Sequence, residues 1–425
     1  MDLVMSDLRA RHAWLDVSRV SLSGMGLGPI LLLAFALRLI WALLVPVHAL
    51  SDAYMYHAFA QEIAAGRGYM FPNDAPTVYW PVGPAALYGG FYALLGVHYW
   101  VIVCINLVLG CGLVAGIYRL GARHFSPGVG AIAGLMTALW PVWIQFTTVP
   151  NSELPFAALM VAAFLARGEQ ALPIWARTIL STALLVAAAF MRPTILPLIV
   201  ILPLLDQPFR KPLRTALQLC IAIIVAAALL TPWAERNRAL FGEPITISAN
   251  FGANFWMGNN PASNGGYMPL PPIETKNEVT RDDYFKERAI AFIEENPADF
   301  ALLCLKRVKM SFDRETIGIA WNEVGLPKAT QAPLKIVSSA YWLAALGLAL
   351  IGVALFLIEK PLRIFDPLIV APAMFAAVAI IVVGGDRYHM PMMPFVALFA
   401  ALAIERIIMW RYPASSKGDE IPLAA

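Results

Sequence analysis

Ten apolar runs, most of them long enough to cross a lipid bilayer, punctuate this 425-residue chain. They lie at 28–47, 100–118, 128–148, 153–166, 175–191, 193–205, 215–233, 335–358, 366–384 and 390–410. A helix of about 20 apolar residues spans the hydrocarbon core, where no water is present to satisfy an open backbone. The fold class implied is an all-α integral membrane protein with about ten transmembrane helices. The runs at 153–166 and 193–205 are short and need flanking residues, or a locally thin bilayer, to cross. A further run at 84–97 is interrupted by Gly83, Pro84, Gly89, Gly90 and Gly96 and is placed at the interface instead.

The composition excludes the main rival class. With 59% hydrophobic and 14% charged residues, the chain has too little charge to cover the surface of a soluble domain, where about a quarter is usual. The net charge of +3 gives no reason to expect nucleic acid as a partner. Cys104, Cys111 and Cys220 lie within apolar runs and Cys304 in a polar stretch, without the spacing of a metal site or a disulfide framework. Arg9, Arg11 and Arg19 precede the first run, and no small-residue cleavage site follows it, which points to an uncleaved first helix.

Basic residues orient the chain, because loops rich in Lys and Arg stay on the cytoplasmic side. With the N-terminus inside, the inner loops hold Arg119 and Arg123; Arg167 and Arg177; Arg210, Lys211 and Arg214; and Lys360 and Arg363. The tail adds Arg406, Arg411 and Lys417. The short outer segments carry only Arg67, Arg192 and Arg387. Making 84–97 a full span would invert everything after it and break this pattern, so ten spans with both ends inside is the consistent solution.

The chain then divides into an N-terminal transmembrane module (1–233), a long non-cytoplasmic loop (234–334) and a C-terminal transmembrane region with a cytoplasmic tail (335–425). The first outer loop, 48–99, lies within the N-terminal module, and the long loop precedes the last three spans. In the first outer loop Ser51 and Asp52 can start a helix and Gly66 or Gly68 can stop it. Met55, Phe59 and Ile63 recur every four residues, a stripe that fits a helix lying flat in the interface. The long loop opens with an Asn, Gly and aromatic run and continues as a charged helical stretch from about 281 to 312.

Ionisable residues near membrane depth are costly and are functional candidates by default. Asp52, Glu153, Arg192, Arg236 and the group Asp386, Arg387 and Tyr388 all project to the outer side. Each also has a plain reading. Asp52 suits a helix N-cap, and the first-turn Glu153 is favoured by the helix dipole. Arg192, in MRPT, suits an interfacial anchor or a phosphate ligand. His57 and His389 are lone histidines without metal spacing. Arg38 lies within the first span, suited to packing against a neighbouring helix or an internal cavity.

Taken with SDAYMYHAFAQEIAAGRGY, VYWPVGPAALYGGFYALLGV, PNSELPF, MRPT, TPWAERN, NFWMGNNPASNGGY and GGDRYHMPMMP, these residues resemble the GT-C superfamily of membrane glycosyltransferases. The resemblance is nearest to the bacterial protein O-mannosyltransferase-like group, itself similar to the aminoarabinose and galacturonic acid transferases of lipopolysaccharide. It implies a polyprenyl-phosphate-linked sugar donor and an acceptor hydroxyl on a lipid, glycan or protein of the cell envelope. It also implies direct inverting transfer at the outer face of a bacterial inner membrane. By the same resemblance Asp52 is the catalytic base and Glu153 the second acidic residue, orienting acceptor or sugar. Arg387 and Tyr388 contact the donor phosphate, and Arg192 and Arg236 bind phosphate or fix loops. Many members carry paired acids in the first loop. Here Ala53 follows Asp52, so a metal-binding pair is not evident, and no cofactor is assigned. The alternative class is a multi-span transporter or lipid flippase, which often shows inverted repeats and midplane charges. No repeat is visible here. A non-catalytic scaffold is the third class, in which Asp52 would be dispensable.

Overall fold

The computed structural model describes residues 26–205, 211–275 and 277–411. Arg9, Arg11 and Arg19 of the leading segment, Arg210 of the third inner loop and Lys417 of the tail lie outside the described residues.

The helices in chain order are α1 (Leu27–Leu44), α2 (Asp52–Ala64), α3 (Gly83–Leu95), α4 (Tyr99–His124), α5 (Pro127–Leu139), α6 (Pro141–Gln145), α7 (Glu153–Arg167), α8 (Ile174–Met191) and α9 (Leu198–Leu205). There follow α10 (Pro212–Phe241), α11 (Phe251–Gly258), α12 (Glu278–Glu295), α13 (Pro297–Phe312), α14 (Ile317–Ala320), α15 (Lys328–Glu359), α16 (Pro367–Ile381) and α17 (Met393–Arg411). No strand occurs among the described residues. All ten apolar runs are largely helical. Six helices among the described residues are long and apolar enough to cross a membrane, and a seventh crossing is made if the bent pair at α5 and α6 is one span.

Several boundaries differ from the sequence reading, each for a physical reason. The run at 128–148 is two helices bent by 55°, because Pro141 has no N–H and breaks the ladder. Arg38 repairs the break. Residue 141 would have donated to the carbonyl of Thr137, and Arg38 Nη2 does so instead at 3.3 Å, with Nη1 reaching the Ala138 carbonyl at 3.3 Å. The charged stretch expected at 281–312 is two helices, α12 and α13, divided at Asn296 and Pro297. Helix α10 continues to Phe241 and α15 begins at Lys328, so helix extends into both ends of the segment 234–334. The stripe on α2 faces the protein. Phe59 is fully buried among Tyr69, Val82 and Ala85, with Met55 and Ile63 packed alongside. It docks α2 onto α3 and the loop between them instead of facing lipid.

The bundle centres on α4, α5, α7, α8, α15 and α17, whose large core includes Trp140, Trp143, Phe156, Trp342 and Phe395. Lipid is as apolar as these side chains, so helix association depends on close packing and small residues rather than on escape from water. Gly352 of α15 shows how close: a Cβ there would fall 1.9 Å from the Phe399 carbonyl oxygen of α17.

Candidate active site

The end of the bundle where α2 begins gathers most of the predicted residues. Ser51 takes φ of +52°, unusual for a residue with a Cβ, and α2 starts directly after it. Neither Ser51 nor Asp52 caps the helix. Ser51 makes no side-chain cap bond, which corrects the N-cap reading. The Asp52 carboxylate binds elsewhere: Oδ2 lies 2.5 Å from Arg387 Nη1, and Oδ1 accepts from the Trp80 indole at 3.2 Å.

Arg387 arrives from the 3-10 turn Asp386–Met392 that precedes α17. That turn is anchored by Asp386, which accepts from the backbone N–H and hydroxyl of Thr316, each at 2.7 Å. The Arg387 guanidinium also stacks over Trp321 and Tyr388, 5.6 and 5.3 Å from the ring centroids. The Tyr388 ring packs against Gly385.

A second ion pair joins Glu153, at the start of α7, to Arg192, at the end of α8, at 2.6 Å. The approach to Glu153 is fixed from α4. The buried amide of Asn106 donates to the carbonyls of Phe146 and Val149, each at 3.1 Å, and its oxygen accepts from Tyr88 at 2.8 Å. The two pairs differ in access. The Asp52 and Arg387 side chains are each 26% exposed, whereas Glu153 is 1% exposed. A ligand can reach the first pair, while the Glu153 carboxylate is sealed beneath the surface.

Electrostatics ties the pairs together. Burial alone would raise the Asp52 carboxyl, but Arg387, the Trp80 indole and Arg192 outweigh it and hold the group below its ordinary value. Burial first, then Asp52 and Glu153, push the Tyr56 phenol far above its ordinary value. Tyr56 is therefore a protonated donor within the field of all four charges. Tyr79 is pushed up to about 12, chiefly by burial, and Arg281 of α12 lies 4.9 Å over its ring.

The ledge carrying Tyr79 and Trp80 is fastened from two sides. Glu278, in the first turn of α12, accepts from the N–H groups of Val78 at 2.7 Å and Tyr79 at 3.0 Å, and from the Thr77 hydroxyl at 3.0 Å. Arg236 of α10 donates to the carbonyls of Tyr69 and Thr77 at 2.7 and 2.9 Å and stacks on Trp233. Arg236 thus stands apart from the ion pairs, with its guanidinium given over to loop carbonyls. Of the predicted residues, Asp52, Glu153, Arg192, Arg387 and Tyr388 come together and Arg236 does not.

Tyr56, Tyr79, Trp80 and Arg281 join the cluster without having been singled out in sequence. Tyr56 had a usable signal, since it lies four residues after Asp52 and so on the same helix face. Both lone histidines are held inside the protein, and His389 Nε2 also lies 3.5 Å from the buried Glu315 carboxylate. His57 contacts Tyr92 and Gln61 at 3.0 and 2.9 Å, and His389 bonds the Ser311 carbonyl at 2.7 Å and stacks on Trp342.

A divalent cation needs several oxygen ligands. Asp52 and Glu153 are each already matched to an arginine, a poor fit to that need.

No protein-family model matches the chain, and no curated protein matches it by sequence. Solved structures do match. The apo oligosaccharyltransferase of Archaeoglobus fulgidus aligns with a TM-score of 0.52 at 13% identity, covering 90% of this chain and 51% of that one. The archaeal oligosaccharyltransferase AglB from the same organism, in complex with an inhibitory peptide and a dolichol-phosphate, gives 0.50 at 13% identity, with 92% and 52% covered. A third structure, the Archaeoglobus fulgidus enzyme with Zn and sulfate, gives 0.50 at 15% identity, with 90% and 49% covered. The chain spans about half the length of the structures it matches. At such identities the likeness concerns the fold alone: over some nine-tenths of its length this chain is folded like those oligosaccharyltransferases.

Proposed function

We propose that the protein is a glycosyltransferase that moves a sugar from a polyprenyl-phosphate donor to an acceptor hydroxyl, with inversion and with Asp52 as general base. The observation that carries this reading is the Asp52–Arg387 pair: a carboxylate and a guanidinium in contact, a quarter exposed, where the outer segments meet. In the narrower form favoured by the sequence resemblance, the protein belongs with the bacterial protein O-mannosyltransferase-like enzymes of the cell envelope. Ten spans, both termini cytoplasmic and an extracytoplasmic site complete that form, with the donor held in the bilayer.

The pair explains how a weak base does this work. At rest Arg387 keeps Asp52 ionised but poorly basic. A bound donor phosphate competes for the same guanidinium, whose planar fork suits phosphate oxygens. As Arg387 turns to the phosphate, Asp52 regains basicity and accepts the acceptor proton. The acceptor oxygen then bonds to the anomeric carbon, the carbon–oxygen bond to phosphate breaks, and the bonding pair leaves on the phosphate. Arg387 stabilises that leaving anion as a preset cation. Arg281 lies beside Tyr79 as a second cation, and Tyr388 lines the phosphate side. Glu153 acts through Arg192 as a positioning residue, and Arg236 holds the ledge.

The test is transfer by the purified protein in lipid, with a panel of polyprenyl-phosphate sugars and membrane extract as acceptor. Wild-type product of inverted anomeric configuration, absent with a folded Asp52→Asn variant, is the expected result. Full activity in that variant, or retained configuration, defeats the mechanism. Vesicle uptake of labelled substrate without covalent product turns the reading to a transporter.

A further inference from the structure

The helices that bring Glu153 and Arg192 to the site carry a second polar cluster at their other ends. Helix α7 begins at Glu153 and ends at Arg167, and α8 has Arg177 in its first turn and Arg192 just past its end. At 1.5 Å per residue, each helix separates its two polar ends by roughly 20 Å. Helix α4 likewise starts beside α2, with the Tyr99 ring 5.1 Å from His57, and ends in Arg123 and His124.

Between these far ends lies a cavity of about 490 Å³. That lies within the range of small-molecule sites, about 300–1,000 Å³. Arg123, Arg167, Arg177, Lys211 and Arg214 line it, against a single carboxylate, Asp366. The carboxylate is occupied, since it contacts His124 at 3.1 Å and caps α16 through the Leu368 N–H. Arg123 pairs with Glu169 at 2.8 Å, and Arg167 donates to the Leu202 carbonyl. Arg177, Lys211 and Arg214 form no ion pair among the described residues; Glu169 acts on Arg177 only at longer range, beside its pair with Arg123, and the buried Nε of Arg177 finds no acceptor there. Among the described residues five cations face this concave site against the two carboxylates Asp366 and Glu169, an excess of positive charge that suits an anionic ligand.

The surroundings indicate what carries that anion. Trp175, on the first turn of α8, is 55% exposed, and Leu213, on the first turn of α10, is 84% exposed. Exposed tryptophan beside apolar side chains marks the headgroup level of a bilayer. We propose that this cavity binds the phosphate headgroup of an anionic lipid, at the end of the bundle opposite Asp52. The inference stands on the cavity alone and holds whether or not the outer site transfers a sugar.

The experiment is native mass spectrometry of the full chain in a neutral detergent, titrated with phosphatidylglycerol, phosphatidylcholine and inorganic phosphate. Thermal unfolding is followed in the same samples. Wild type is expected to retain phosphatidylglycerol and melt later with it, and to ignore phosphatidylcholine. The double variant Arg177→Gln, Arg214→Gln is expected to bind roughly 30-fold more weakly, at about fivefold per lost charge near an anionic headgroup. Should that variant not fold, Lys211→Gln with Arg214→Gln serves in its place. Unchanged phosphatidylglycerol affinity in a folded variant overturns the proposal. Equal retention of phosphatidylcholine overturns it as well. Inorganic phosphate binding as tightly as the lipid overturns the lipid as source and leaves a soluble phosphate site.

Discussion

Arg387 places its Nη1 atom 2.5 Å from Oδ2 of Asp52, although the two residues are 335 positions apart. The contact joins the start of α2 to the 3-10 turn before α17, and at 26% exposure of each side chain it is open enough for a ligand to intervene. Asp52→Asn keeps the size and most of the hydrogen bonding of the side chain. We expect the variant to fold, with a melting temperature in detergent near that of wild type. Transfer should fall by roughly 10²- to 10⁴-fold, the usual worth of a general base, as measured by initial rates at saturating acceptor.

The same contact sets the acid side of the pH profile. Arg387, Trp80 and Arg192 hold the Asp52 carboxyl below its ordinary value, so the free protein keeps this proposed base ionised well into acid. In Arg387→Gln the main opposing charge is gone, burial dominates, and the group titrates higher. The acid limb of kcat/KM, which reports the free enzyme, should therefore move to higher pH in the variant. For stability the sign runs the same way. A depressed carboxyl contributes above its unfolded pKa and loses that contribution as pH falls through its folded value. The melting-temperature gap between wild type and variant should be widest near neutral pH and narrow as pH falls into acid.

Glu153 and Arg192 form the sealed pair, and breaking a buried pair leaves an uncompensated charge at a cost of about 3–5 kcal/mol. Because Arg192 is 13% exposed, water can recover part of that. We expect Glu153→Ala to cost about 3 kcal/mol, read from unfolding in detergent. It should destabilise far more than Asp52→Asn does. The double variant Glu153→Gln, Arg192→Gln should recover part of the loss.

Helix α15 supplies its own control for packing. A Cβ at Gly352 would strike the Phe399 carbonyl, whereas Gly347 has open space. Gly352→Ala should destabilise by roughly 1–3 kcal/mol, the range for overpacking, with the α15–α17 contact forced apart. Gly347→Ala should leave stability unchanged or raise it, since alanine favours the helix. Equal effects of the two would remove the close approach as the reason.

Much of this was legible in the chain because polar residues are conspicuous against so apolar a background. Asp52, Glu153, Arg192 and Arg387 stood out as charges at run boundaries, and they meet in two adjacent pairs. Tyr56, Tyr79, Trp80 and Arg281 did not. Tyrosine and tryptophan are ordinary at a membrane interface, and Arg281 sits among many charges on α12. Arg38 was read as packing against a neighbouring helix, which it does, but its partner, a broken helix end 99 residues away, was not legible. The stripe on α2 was read correctly in period and wrongly in direction. A pattern of apolar residues cannot say whether lipid or protein lies against it.

The clasp of Glu278 on Val78 and Tyr79 has a consequence for biogenesis. Its two halves are 200 positions apart, and at about 5–20 residues per second they leave the ribosome roughly 10–40 s apart. Through that interval the ledge bearing Trp80 has at most the Arg236 half of its fastening, and Asp52 still awaits Arg387. The chemistry of the first loop is thus completed among the last events of synthesis. A chain stopped anywhere before α12 carries the Asp52 carboxylate with the Trp80 indole as its partner but without the arginine it meets in the finished fold.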